Sequence, residues 1–263
     1  MVVVSAVVIW LIFLLPKVVV HNEDEVAPTN SDSSSVRKND VHNTAPEAVL
    51  ARIRSFRSQF QPGSANEKNA IFADSLAKLY QVAGKFDSSA WFAEEASKFF
   101  NTTESWVKAG DNYYQAYTFA LDQSKQNQMA VKAQEFYGKV LKANPKNLEV
   151  KTKMAMTYFS SPSPMQGVTM LREVLAEDPK NELALFNLGM LSIQSGQFDK
   201  AIERLEELVK INPAHTQGQL LLGIALMNTG DKQKAKEQFE KVKKMEKDPA
   251  VQATVDSYLK DLK

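Results

Sequence analysis

Three histidines, 31 carboxylates and no cysteine are the residues of this chain from which reactive chemistry would have to be built. The absence of cysteine removes thiol nucleophiles, thiolate zinc sites and disulfides together. His21 and His42 stand in a polar stretch near the amino terminus, and His215 follows Pro213 by two residues. A metal site needs ligands at hairpin or helical spacing, and a general base needs a partnered acid. None of the three has either, so each reads as an ordinary solvent-exposed residue. Glu203, Glu206 and Glu207 alternate with Lys200, Arg204 and Lys210, and that i,i+3 and i,i+4 pattern is a solvated helix face rather than an acid/base pair. No P-loop and no G-x-S-x-G elbow is present. The expectation is a protein that is not an enzyme and carries no metal or cofactor. Lys+Arg 32 against Asp+Glu 31 gives no basic excess to hold nucleic acid.

With catalysis set aside, the elements that would position a binding surface become the question. Val2 to Leu15 is apolar except for Ser5, and Val18 to Val20 extend the run past Pro16 and Lys17. That length is at the lower edge of a membrane span. No small-x-small cleavage pattern follows it, so residues 1–20 read as an uncleaved transmembrane or signal-anchor helix. The placement expected is single-pass in an inner (cytoplasmic) membrane, with the carboxy-terminal domain periplasmic. Residues 21–65 read as a tether rich in Asn, Asp, Ser and Glu. It carries one short amphipathic helix over 47–61, where Val49, Ile53, Phe56 and Phe60 form a stripe ended by Pro62 and Gly63.

From there the sequence repeats. Pro145, Pro179 and Pro213 are 34 residues apart, as are Gly189 and Gly223, Gly196 and Gly230, and Ala201 and Ala235. The clearest copy runs from Glu182 to His215 with Leu188-Gly189, Gly196, Phe198, Ala201, Leu205, Leu208 and Pro213, and the next keeps Leu222-Gly223, Gly230, Ala235 and Phe239. Gly189 and Ala201 permit two helices to approach, Gly196 turns the chain between them, and Pro213 stops the second. These residues resemble the tetratricopeptide-repeat family, in its membrane-anchored bacterial form. The fold implied is all-α, a right-handed α-solenoid of helix hairpins behind an N-terminal transmembrane anchor. About five hairpins and a C-terminal capping helix (Val251, Val255, Tyr258, Leu262) would fill residues 66–263. The copy from Leu148 to Asn181 carries Ser160-Ser161-Pro162-Ser163-Pro164 at its turn, which is expected to be bent or longer. The copy from Thr103 to Asn147 has 45 residues, 11 beyond 34. Lengthening of its first helix through Tyr117 and Ala120 is expected, with a helix pair protruding near Gln123 to Gln128. The weakest copy runs from Ala70 to Thr102.

In proteins of this family the first helices line a concave groove. Carried over position by position, the resemblance implies Tyr114, then Met156 and Phe159, then Phe186, Asn187, Met190 and Ile193, then Leu220, Ile224, Met227 and Asn228 as the partner-binding positions. These are mostly apolar, so they suit an apolar helix or extended segment, with methionine adapting to irregular partners. The lysines and arginines of a carboxylate clamp are missing there. The same residues would equally serve as packing between hairpins or beneath the cap. Large exposed apolar patches mark interaction sites, which favours the groove. The function implied is a protein–protein interaction scaffold of the cell envelope with a protein or peptide as partner. Two alternatives stand beside it: an assembly factor like those of cytochrome c maturation, and self-assembly as a homo-oligomer through Tyr113, Tyr114, Tyr117 and Phe119.

Overall fold

The computed structural model describes residues 45–262, all helical, and the apolar run of residues 1–20 lies outside them. The described helices are α1 (Glu47–Gln59), α2 (Glu67–Val82), α3 (Phe86–Phe100), α4 (Thr103–Phe119), α5 (Gln123–Ala143), α6 (Leu148–Thr157), α7 (Pro164–Glu177), α8 (Glu182–Gln194), α9 (Phe198–Ile211), α10 (Thr216–Thr229), α11 (Lys232–Met245) and α12 (Pro249–Asp261). Among them none is long and apolar enough to cross a membrane. The chain divides into two compact units at Pro162/Ser163, where the sequence reading drew one continuous body. Helix α6 tightens into a 3-10 turn over Tyr158–Ser160 before the prolines, as its turn sequence leads one to expect.

In the first unit α2 pairs with α3 and α4 with α5, and α1 covers the open side of the first pair. The α1 stripe is spent on that contact. Ile53 and Phe60 are buried, Phe56 meets Phe72 at 5.7 Å and Phe60 meets Phe92 edge-on at 5.2 Å. Ala70 to Thr102 is therefore a full hairpin. The 45-residue copy meets expectation only in part, because both of its helices are lengthened, the first to 17 residues. Its first helix ends at Phe119, its second is 21 residues long, and the turn is Ala120 to Asp122. Gln123 to Gln128 form the first turns of α5 because Asp122 caps that helix, accepting from the Lys125 amide at 2.8 Å. The tip is also flanked rather than free. Phe119 stacks on Phe86 at 4.4 Å, Lys125 pairs with Asp87, and the Gln123 amide donates to the Ser160 carbonyl.

In the second unit α8 pairs with α9 and α10 with α11, and α12 lies against α11. Three successive repeat junctions are built the same way. Asn144, Asp178 and Asn212 each accept from the amide two residues on, and Asn147, Asn181 and His215 each accept from the third amide of the next helix, at 3.1, 3.0 and 3.0 Å. The second set are N-caps. His215 is thus a half-buried structural residue, contrary to the solvent-exposed expectation, because its Nδ1 fills the place asparagine holds in the other two copies. Gly196 and Gly230 turn the chain at φ +71° and +88°, a region a side chain disfavours. The C-terminal stripe caps α11, with Val255 buried and Tyr258 stacked on Phe239 at 5.0 Å.

Candidate binding surface

The repeats bring their helices together through missing side chains. A Cβ on Gly189 would stand 2.8 Å from Leu205, and one on Gly223 2.7 Å from Phe239; in the first unit one on Gly110 would stand 2.6 Å from Tyr137. Ala201 and Ala235 are fully buried opposite them. This close approach fixes which faces of the first helices point outward.

In the second unit α8 and α10 lie side by side. Of the positions implied there, Asn187, Ile193 and Ile224 are buried, at 4%, 7% and 2% exposure, so they act as packing in this unit. Asn187 donates to the Leu183 carbonyl at 2.7 Å, which satisfies its amide within its own helix. Phe186, Met190, Leu220 and Met227 are half-buried, Asn228 is exposed with its amide on the Ile224 carbonyl, and Leu183 is 44% exposed. Phe186 also meets the His215 ring at 5.1 Å. The outward face of these two helices is therefore an apolar strip without a charged side chain among the named positions.

The first unit holds Tyr114, Met156 and Phe159, all half-buried. Tyr114 lies 5.9 Å from Tyr117, and the Tyr117 hydroxyl donates to the Met156 carbonyl at 3.0 Å. Burial, then the neighbouring Tyr117 and Asp111, push the Tyr114 hydroxyl up to about 12. Two polar networks lie beside them. The Tyr113 hydroxyl donates to Glu94, which also takes Lys132 at 3.2 Å. The Tyr137 hydroxyl donates to Asp111 at 2.7 Å, and Asp111 takes Lys153 at 3.0 Å. Burial opposes ionisation of Glu94, but the bonds from Tyr113 and Lys132 outweigh it and hold the carboxyl below its usual range. Burial and then the carboxylate partners raise Tyr113 and Tyr137. Of the residues expected to pair two copies, Tyr113 is buried instead, tied by its hydroxyl to Glu94.

The charged face of α9 also differs from expectation at one residue. Arg204 is half-buried, reaching across to the Ser192 hydroxyl and the Leu188 carbonyl, and burial lowers its pKa. Among the described residues no group of three or more His, Asp or Glu could hold a metal ion.

A tetratricopeptide-repeat model matches residues 166–221 and 192–256. Residues 166–256 are tetratricopeptide repeats. The matched stretch, residues 166–256, lies within the second unit, and the 45-residue copy of the first lies outside it. The repeat fold recurs in solved structures. The crystal structure of MamA protein is similar over 67% of this chain and 91% of its own, at 19% identity and a TM-score of 0.51. MamA 41-end from Desulfovibrio magneticus RS-1 is similar over 69% and 97%, at 18% and 0.53. A MamA RS-1 double mutant is similar over 74% and 99%, at 19% and 0.54. At such identities the likeness is one of fold. No curated protein matches.

The sequence reading missed a second concavity in the same unit. A cleft of about 400 Å³ opens between α9 and α11, with Gln219 and Leu222 of α10 among its lining. The lysine-rich sequence of α11 was the available signal.

Proposed function

We propose that this protein is a non-catalytic interaction scaffold that receives an apolar segment of a partner polypeptide on the outward face of α8 and α10, within a stretch of right-handed solenoid. One observation supports this reading above the others: Leu183, Phe186, Met190, Leu220 and Met227 keep apolar surface open on adjacent first helices, while the buried positions beside them hold those helices rigid. Two flexible methionines next to a fixed aromatic ring suit a partner helix or extended strand whose side chains are uneven in size. The apolar run Val2 to Leu15 supports attachment to an inner membrane with the repeats on the periplasmic side, and hence a role in the cell envelope of the kind assembly factors fill, cytochrome c maturation among them.

The test uses a photo-crosslinking amino acid at Leu220 of the full chain in membranes, with and without Phe186→Asp and Met190→Asp, after unchanged helicity and melting are verified. Partner adducts that disappear in the double variant support the groove; adducts that persist unchanged refute it. Extraction of the full chain by alkaline carbonate would refute the anchor. Self-assembly is a second reading, favoured by Phe119, Leu121 and Val131, which are 41%, 66% and 63% exposed. Sedimentation of the Leu121→Asp, Val131→Asp variant beside the parent checks it: a parent that stays monomeric at high concentration removes it.

A further inference from the structure

The cleft between α9 and α11 uses the second helices of the last two repeats, so it is a different surface from the α8/α10 face. Its walls carry Glu206, Val209 and Lys210 from one side, Lys210 being paired with Glu207 at 3.6 Å, and Lys241, Lys244 and Met245 from the other, above Gln219 and Leu222. Two observations there point independently to a ligand. The first is electrostatic. Helix α11 carries six lysines against Glu237 and Glu240, in a chain whose net charge is +1. Lys243 is spent on Asp256 and Lys234 on Asp231. Lys241 meets only the neutral Gln238 amide at 3.4 Å, and its ammonium and that of Lys244 have no ion pair at the cleft.

The second is a missing hydrogen bond. Gln219 is 4% exposed. Its amide nitrogen donates to the Pro213 carbonyl at 3.2 Å, which fixes the orientation of the side chain, and its Oε1 has no partner. A buried acceptor left unpaired costs about 1–3 kcal/mol, so native structures rarely keep one without a ligand or water to satisfy it.

We propose that this cleft binds an acidic peptide segment of a partner protein. The segment's carboxylates pair with Lys241 and Lys244, an apolar side chain seats against Val209, Leu222 and Met245, and a backbone N–H donates to Gln219 Oε1 after a small shift opens that oxygen. A cleft of this size accepts two or three residues. The apolar part of its lining, Val209, Pro213, Leu222 and Met245, favours a peptide over nucleic acid, whose phosphates are held by broad basic surfaces.

The probe is a fluorescein-labelled hexapeptide of alternating Glu and Leu, measured by anisotropy against the full chain, with Gln/Leu and Lys/Leu hexapeptides and an oligothymidylate as controls. Carbodiimide coupling, which joins carboxylates to amines, then maps the contact by mass spectrometry. Expected are coupling concentrated at Lys241 and Lys244, at least tenfold weaker binding in Lys241→Gln, Lys244→Gln, and several-fold weaker binding in Gln219→Leu with the coupling positions unchanged. Phe186→Asp should leave all three results as they are, which separates this cleft from the α8/α10 face. Coupling spread over all exposed lysines, undiminished binding in the double variant, or displacement by oligothymidylate at equal concentration would overturn the proposal. Full affinity in Gln219→Leu would overturn the part assigned to that amide and leave water as its partner.

Discussion

The two units close the same kind of helix pair with different chemistry. In the second, the glycines of the first helices receive Leu205 and Phe239, both fully buried, so the crossing points themselves are apolar. In the first, the equivalent Gly110 receives Tyr137, whose ring fills the gap while its hydroxyl must be carried to Asp111 and Lys153. Tyr113 repeats the device with Glu94 and Lys132. An apolar contact is stabilised by removal of surface from water and tolerates small shifts. A buried hydroxyl is stabilised only while its acceptor is in place, so the first unit exchanges tolerance for a fixed arrangement. Its helices of 17 and 21 residues are thus held in one register along their length.

This contrast can be broken most forcefully at Phe239. Phe239→Ala should cost about 3–5 kcal/mol, read as a fall in the urea midpoint of far-UV ellipticity. Trp91 and Trp106 both lie in the first unit, so with Trp10→Phe as background their fluorescence follows that unit alone. Equal movement of fluorescence and ellipticity would mean that the units unfold together and the contrast is not one of separate stabilities. Gly223→Ala and Gly110→Ala come next, at about 1–3 kcal/mol each, since both added methyls meet ring atoms closer than any packed pair allows. Tyr137→Phe keeps the ring and removes the bond to a charged acceptor. The expected loss is about 1.5–3 kcal/mol, in tryptophan-detected melting, and no loss would show the network to be ornamental.

Alkaline pH should weaken the first unit more than the second with no mutation, since burial raises Tyr258 alone in the second. Tyr113, Tyr114 and Tyr137 have folded values above the ordinary tyrosine range. Their contribution is therefore complete below about pH 10 and is lost as pH rises towards the folded values, because the unfolded chain ionises first. At the acid end Glu94 acts in the opposite sense. Its folded value is lowered, so its contribution is present above the usual carboxylate range and lost as pH falls through the folded value. The tryptophan-detected midpoint should drop at both ends. The smallest effect is expected at His215, where Ala should cost about 1 kcal/mol for loss of the cap and Asn should cost nothing, as Asn147 and Asn181 already do this task.

Much of the second unit could be read from residue spacing because its rules are local. Glycine at a tight crossing, glycine at a positive-φ turn and proline after a helix act within one hairpin and recur every 34 residues. The lengthened copy was only half read for the same reason, since both helices take up the extra residues. Eleven extra residues fit either helix by periodicity alone, and the choice was made by Asp122 capping α5 and Phe119 finding Phe86. The positions carried over from the repeat pattern were likewise silent about depth. Ile193 and Ile224 go inside while Phe186, Met190, Leu220 and Met227 keep open surface.

The sequence by itself determined the class of fold, the hairpin register and the absence of cysteine chemistry, because helix periodicity, turn residues and composition are properties of short stretches. Only the tertiary structure decided that Tyr113 and Tyr137 are tied to carboxylates from other helices, that His215 is a cap, and that Gln219 lies beneath lysines 22 and 25 residues away. Those facts depend on side chains brought together from separate helices, and the burial that sets their hydrogen bonding and their charge exists only once the helices have packed.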